Sequence, residues 1–207
     1  MSSRHPELDT ARPVPILWLY GADAVGKSTV GWHAYRRLVD SGVAAAYVDT
    51  DYLGFCTPQF DDRGRLVELN LAATWPNFAA AGAHCLVVSG ILVSAEQRTR
   101  YEQTVPGGEL TLCRLHARPA TIRARILSRA RTEAESSGAA LSEAAVQALE
   151  EYGDRSVAFA AALEADDFAD LVLHTDMATP ADLAQAVLGY GGWPATLARG
   201  TQTEAPA

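Results

Sequence analysis

Eight consecutive residues constrain this chain more than any others: Gly21-Ala22-Asp23-Ala24-Val25-Gly26-Lys27-Ser28, a complete match to the phosphate-binding pattern G-x-x-x-x-G-K-[ST]. An apolar run, Val14 to Tyr20, precedes it. A helical pattern follows from Lys27 to Ser41, with Val30, Ala34 and Leu38 on one stripe and Gly42 as terminator. A strand, a glycine-rich turn and a helix in that order let successive backbone N–H groups face inward around a phosphate, and the positive helix end adds to their field. Lys27 is the only lysine of the chain, and every other cationic side chain is arginine. A planar guanidinium fork cannot replace the compact ammonium that bridges the terminal phosphates of a nucleotide, so lysine is retained at the one position where phosphoryl chemistry requires it.

The rest of the chain alternates short apolar runs with helical patterns. Strands are predicted over Val14 to Tyr20, Ala44 to Val48, Cys85 to Ser89, Leu110 to Leu115 and Leu171 to Thr175. Each is apolar on both faces, as strands buried in a parallel sheet are. Helices are predicted from Pro119 through Ile122, Ile126 and Ala130, and from Ser142 through Val146, Leu149 and Tyr152 to about Ala165 with a break near Gly153. Another should start at Thr179-Pro180 and carry Leu183 and Val187. The alternation predicts an α/β fold, a three-layer sandwich around a parallel sheet spanning 14–189. Residues 1–13 read as a leader and 190–207 as a tail. The polar, small-residue segment Thr132 to Ala140 reads as a mobile flap, part of a lid at about 129–141.

Composition narrows the function. A net charge of -8 argues against nucleic acid as a partner, and the six arginines between Arg114 and Arg131 suit a small anion better than a polymer. No apolar run is long enough for a membrane span, and the start has no signal-peptide pattern, so a cytoplasmic protein is expected. Three widely spaced cysteines, Cys56, Cys85 and Cys113, fit neither a disulfide framework nor a zinc site, and Cys85 and Cys113 read as reduced core thiols. With its single lysine already used, the chain cannot contain the guanine-reading N-K-x-D. The third strand ends in Ser89-Gly90 rather than in a carboxylate, unlike a mechanical ATPase.

A carboxylate appears instead after the second strand, in Tyr47-Val48-Asp49-Thr50-Asp51. At period two, Asp49 and Asp51 should point to the same side of the strand end, where ligands of α/β sheets bind. Asp51, at the exit, is read as the general base for an acceptor hydroxyl, and Asp49 as support for magnesium-bound water. An Asp-rich turn capping a following helix is the other reading. Lys27 would bridge the terminal phosphates of ATP, Ser28 would ligate Mg²⁺ and Thr29 would contact the α-phosphate, with Gly21, Ala24, Val25 and Gly26 forming the cradle. The loop with Phe55, Gln59, Phe60, Asp61, Asp62, Arg63 and Arg65 has the composition of an acceptor pocket. Arg63 and Gly90 are the acceptor candidates beside Asp51. His84, His116 and His174 read as structural, and Trp18, Trp32 and Trp75 as packing residues.

Together, Gly21 to Thr29, the Asp49-Thr50-Asp51 exit and the arginine run Arg123 to Arg131 resemble the P-loop kinases of the shikimate, gluconate, adenylylsulfate and nucleoside monophosphate type, and chloramphenicol phosphotransferase. The resemblance implies a five-stranded parallel sheet ordered 2-3-1-4-5, with a small helical lid over ATP. It implies that Asp51 meets the acceptor hydroxyl, that Arg125 lies near adenine, and that Arg129 or Arg131 neutralises transition-state charge. The bare sequence also allows these arginines to be a solvated face paired with Glu133 and Glu135. The expected activity is transfer of the γ-phosphoryl of ATP to a hydroxyl of a small metabolite or antibiotic, by a monomer or homodimer. The alternative is an ATP-binding regulatory protein whose lid orders on nucleotide binding without any transfer.

Overall fold

β1 (Val14–Tyr20) alternates its side chains between two apolar layers. Leu17 and Leu19 join the layer beneath α1 (Lys27–Asp40). Ile16, Trp18 and Tyr20 join the opposite layer. This double burial explains why the strand is apolar on both faces. The computed structural model describes residues 13–57, 63–166 and 168–193. Around β1 it arranges β2 (Ala45–Asp49), β3 (Cys85–Ser89), β4 (Gly108–His116) and β5 (Leu171–His174) in the order β2-β3-β1-β4-β5. All four pairings are parallel. The predicted fold class and strand order are therefore observed. Each buried Leu, Val or Ile side chain of these layers contributes roughly 1.5–3 kcal/mol.

α1 and α6 (Pro180–Tyr190) cover one face of the sheet through Val30, Ala34, Leu38, Leu183, Ala184 and Val187. The tail expected from residue 190 begins later than that, because Trp193 is buried in this same layer. Residues 1–12 of the expected leader and 194–207 of the expected tail lie outside the described residues. On the other face lie two helices that the patterning did not reveal, α2 (Arg63–Ala80) and α3 (Ala95–Glu102). α2 buries Val67, Leu71 and Trp75 at four-residue spacing, yet Pro76 interrupts its sequence signal. A buried carboxylate, Glu68, accepts from Arg65 at 3.1 Å and from Arg100 at 2.8 Å, so charge as well as packing joins α2 to α3.

α4 (Pro119–Ser136) and α5 (Glu143–Ala165) form a helical hairpin, and two expectations change here. Thr132 to Ser136 are helical, so only the short turn around Gly138 separates the two helices. α5 also runs unbroken past Gly153. That glycine lies against Arg123 of α4, where a Cβ would come within 3.2 Å of the Arg123 Cγ. It is therefore a contact point, not a hinge. Trp18 and Trp75 pack as expected, whereas Trp32 is half exposed and only leans on the rings of Tyr35 and Tyr47. Cys85 and Cys113 are buried free thiols, and burial pushes both pKa values up to about 12. Among the described residues, no helix is long and apolar enough to cross a membrane.

Candidate active site

The glycine-rich loop lies at the carboxyl end of β1. Gly21 adopts φ 144° with its α-carbon pressed against β4, where a Cβ would fall 2.5 Å from the Leu115 carbonyl oxygen. Only glycine meets both demands. Ala24 at φ 61° and Gly26 at φ 102° complete the turn. Gly26 then starts α1 with no side-chain cap, and no acidic residue occupies the first turn. Uncapped N–H groups at a helix start suit a phosphate, so the residues present fit a nucleotide. Ser28 and Thr29 are exposed there, as ligands to a metal or phosphate must be.

Lys27 is buried and donates from Nζ to the Ala22 carbonyl at 2.9 Å, with Asp23 at 3.9 Å. Burial pulls its pKa below the ordinary value, against the opposing pull of Asp23, Asp51 and Asp49. Arg129 adds to the lowering. The lysine, the three carboxylates and Arg129 of α4 thus act on one another electrostatically. Tyr47 of β2 crosses beneath the site, with its hydroxyl 2.8 Å from the Ser89 Oγ and donating to the Ser28 carbonyl at 3.3 Å. Gly31 leaves room for that ring, which a Cβ would meet at 3.0 Å.

The two acids after β2 do not sit as period two predicts. β2 ends at Asp49, and Thr50 to Leu53 form a 3₁₀ turn, so Asp51 lies off the strand. Asp49 caps that turn by accepting from the Asp51 N–H at 3.1 Å. The capping reading therefore holds for Asp49, because an extended N-cap residue must stop the strand to start the helix. Asp49 shares its sheet face with Tyr47 and α1, and Asp51 stands in the first helical turn.

Arg125, expected near adenine, is held here by four hydrogen bonds within the protein. It donates to the carbonyls of Ala24 at 3.3 Å and Val25 at 3.4 Å. It also donates to the Thr175 hydroxyl at 2.9 Å and carbonyl at 2.7 Å. It is a clamp joining the phosphate loop to the turn after β5. Arg129 and Arg131 are exposed, and among the described residues neither pairs with Glu133 or Glu135.

Gly90 is buried, and a Cβ there would overlap the hydroxyl of Thr50, so it serves the close approach of the third strand to the 3₁₀ turn. Gln59, Phe60, Asp61, Asp62 and the side chain of Arg63 lie outside the described residues. His116 and His174 face each other across β4 and β5 with their Nδ1 atoms 3.1 Å apart, while Asp176 beside them accepts from the Arg118 N–H and the Thr121 hydroxyl.

Sequence reasoning missed Asp23, Tyr152 and Ser156. The Tyr152 hydroxyl donates to Asp23 at 2.7 Å and Ser156 donates to the Asp23 carbonyl at 3.2 Å, tying α5 to the phosphate loop. Burial and the Asp23 carboxylate push the Tyr152 pKa up to about 12. The only local signal was an acid within the loop and two polar residues one turn apart on a helix.

No family model matches this chain and no curated protein sequence matches it. Solved structures do. The APS kinase of Mycobacterium tuberculosis, in complex with AMPPNP and APS, superposes with a TM-score of 0.56 at 18% identity, over 87% of this chain and 99% of that one. A sugar kinase from Janibacter sp. HTCC2649 gives 0.58 at 16% identity, over 88% and 98%. A putative kinase from Chloroflexus aurantiacus gives 0.52 at 15%, over 86% and 99%. The chain has the fold of the P-loop small-molecule kinases.

Proposed function

We propose that this protein is an ATP-dependent phosphotransferase acting on a hydroxyl of a small molecule. The observation that carries the reading is the uncapped start of α1 behind the glycine turn, with the buried Lys27 at it beside Asp23. In the reaction, Lys27 exchanges the Ala22 carbonyl for the terminal phosphates. The backbone of Gly21 to Gly26 orients them, and Thr29 meets the α-phosphate. Ser28 and Asp49 are the residues that would hold Mg²⁺, which when bound supplies charge neutralisation on the β- and γ-phosphates. Asp51 orients the acceptor hydroxyl and takes its proton as the new O–P bond forms. The bond from γ-phosphorus to the bridging oxygen breaks, and ADP leaves. Arg129 comes from the lid to balance the charge spread over the transferring group.

The reading is tested by single-turnover transfer from γ-labelled ATP to a pool of hydroxylated metabolites and antibiotics. Lys27→Ala should lower transfer by about three powers of ten or more. Asp51→Asn should lower it by about 10²–10⁴ while AMPPNP affinity stays within about threefold. Loss of transfer in Asp49→Asn with retention in Asp51→Asn would reassign the base to Asp49. Undiminished transfer in Lys27→Ala would overturn the whole assignment. If the pool yields no phosphorylated product and a protein partner is captured only in the ATP state, the regulatory alternative takes its place.

A further inference from the structure

Arg114 plays no part in the reading above, yet it is the least expected side chain in the molecule. It occupies the carboxyl end of β4, paired in register with Tyr20, the residue immediately before the phosphate loop. Paired residues of parallel strands share a face, and Arg114 follows Leu110 and Leu112 at period two. Its side chain therefore belongs to the layer of Trp18, Tyr20 and Leu92, on the side of the sheet away from α1. The residue is 6% exposed. Its Nε is enclosed and has no hydrogen-bond partner, and no ion pair is found for it among the described residues.

That combination is costly. A guanidinium whose Nε is enclosed without a partner gives up part of its hydration, and the other buried charges among the described residues are answered. The buried Glu68 of α2 holds two arginines, and Arg98 holds Asp170 through two bonds of 3.0 Å. The α1 side of the sheet end is the nucleotide's, through Lys27 and the uncapped helix. The opposite side, next to the Thr50–Leu53 turn that carries Asp51 and to Gly90, is where an acceptor would enter.

We infer that Arg114 is the receptor for an oxyanion of the acceptor, so that the hydroxyl substrate also carries a carboxylate, phosphate or sulfate. A planar guanidinium fork binds such a group through two parallel N–H bonds. The ligand then supplies the countercharge that the protein withholds. This inference rests on the phosphotransferase reading for the identity of the ligand as acceptor, but the anion site itself does not.

The test uses inorganic sulfate as the probe, with the phosphate loop first saturated by AMPPNP so that it cannot take up sulfate. Sulfate should raise the melting temperature of the wild-type complex saturably. Arg114→Met should weaken apparent sulfate affinity by at least about tenfold, leave AMPPNP affinity within about twofold, and melt at or above the wild type when no ligand is present. Arg114→Lys keeps the charge without the fork and should fall between the two. In transfer assays, gluconate and glycerol 3-phosphate should be used in preference to glucose and glycerol by the wild type, and this preference should vanish in Arg114→Met. A saturable sulfate response that persists in Arg114→Met would overturn the inference. So would a variant that unfolds or melts well below the wild type, since the guanidinium would then be a structural group. A tenfold loss of AMPPNP affinity with sulfate unaffected would assign Arg114 to the nucleotide and overturn it too. Should AMPPNP fail to bind the wild type, the phosphotransferase reading falls, and the same sulfate comparison in the Lys27→Ala background still decides the anion site.

Discussion

Arg125 and Arg114 lie 11 residues apart and are treated in opposite ways. Arg125 makes four hydrogen bonds within the protein, two of them to the phosphate loop. The side chain of Arg114, the more deeply buried, makes none among the described residues. At the phosphate loop the donors of Arg125 are spent on the protein itself, fixing the loop's shape in advance of any ligand. On the other side a charge is left for something outside the chain. A preorganised arginine and an unpaired one are thus separated by the thickness of the sheet, and under the proposed function they would serve the donor and the acceptor respectively.

The contrast can be broken most forcefully at Arg125. Arg125→Ala leaves three carbonyls and a hydroxyl unanswered and should cost about 2–4 kcal/mol of stability together with AMPPNP affinity, read by chemical denaturation and calorimetry. Arg125→Lys should not restore either, because one ammonium cannot span the loop and the Thr175 turn at once. Retained AMPPNP affinity in Arg125→Ala would reduce the clamp to a structural tie.

A smaller effect sharpens the nucleotide side. Burial holds the Lys27 pKa below the ordinary value of 10.5. Between the native and unfolded pKa values the unfolded chain binds more protons, so the native state gains stability as pH rises through that window. The native amine is also deprotonated at lower pH than a free lysine. Labelling of Lys27 by an amine-reactive ATP analogue, followed by peptide mass spectrometry, should therefore level off at lower pH than labelling of a model lysine peptide, and ATP should protect the site. A labelling profile matching the free amine would show that the nucleotide-side field is weaker than its geometry implies.

Tyr152→Phe should do least. Its bond to Asp23 is short but half exposed, so its loss should change stability by less than about 1 kcal/mol and AMPPNP affinity by less than about threefold. A larger loss of affinity would make α5 part of the nucleotide site and not only a tether to it.

The sequence showed the strands, the phosphate loop and the acids after β2 because each is written locally, in short apolar runs, glycines at fixed offsets and a pair of carboxylates, whereas the strand order came only from the resemblance to P-loop kinases. It did not show how those acids are oriented. A single residue, Asp49, chooses between continuing a strand and capping a turn, and the choice depends on Thr50 closing against Gly90. Arg125 was legible as a site residue, but its partners lie 50 to 101 residues away in sequence. Tyr152 reaches Asp23 across 129 residues, which no spacing argument could join. Gly153 was read from its residue type as a break, whereas the fold uses its missing side chain to admit a neighbouring helix.

The contact between Gly21 and the Leu115 carbonyl has a consequence for distance. Leu115 touches the phosphate loop, and Arg114, its neighbour on β4, turns to the other face of the sheet. One peptide unit therefore separates the part of the strand that supports the donor from the part assigned to the acceptor's charge. β4 acts as a ruler. If Arg114 holds the acceptor's anion as proposed, a substrate is selected by how far its hydroxyl stands from that anion, a length the strand itself fixes.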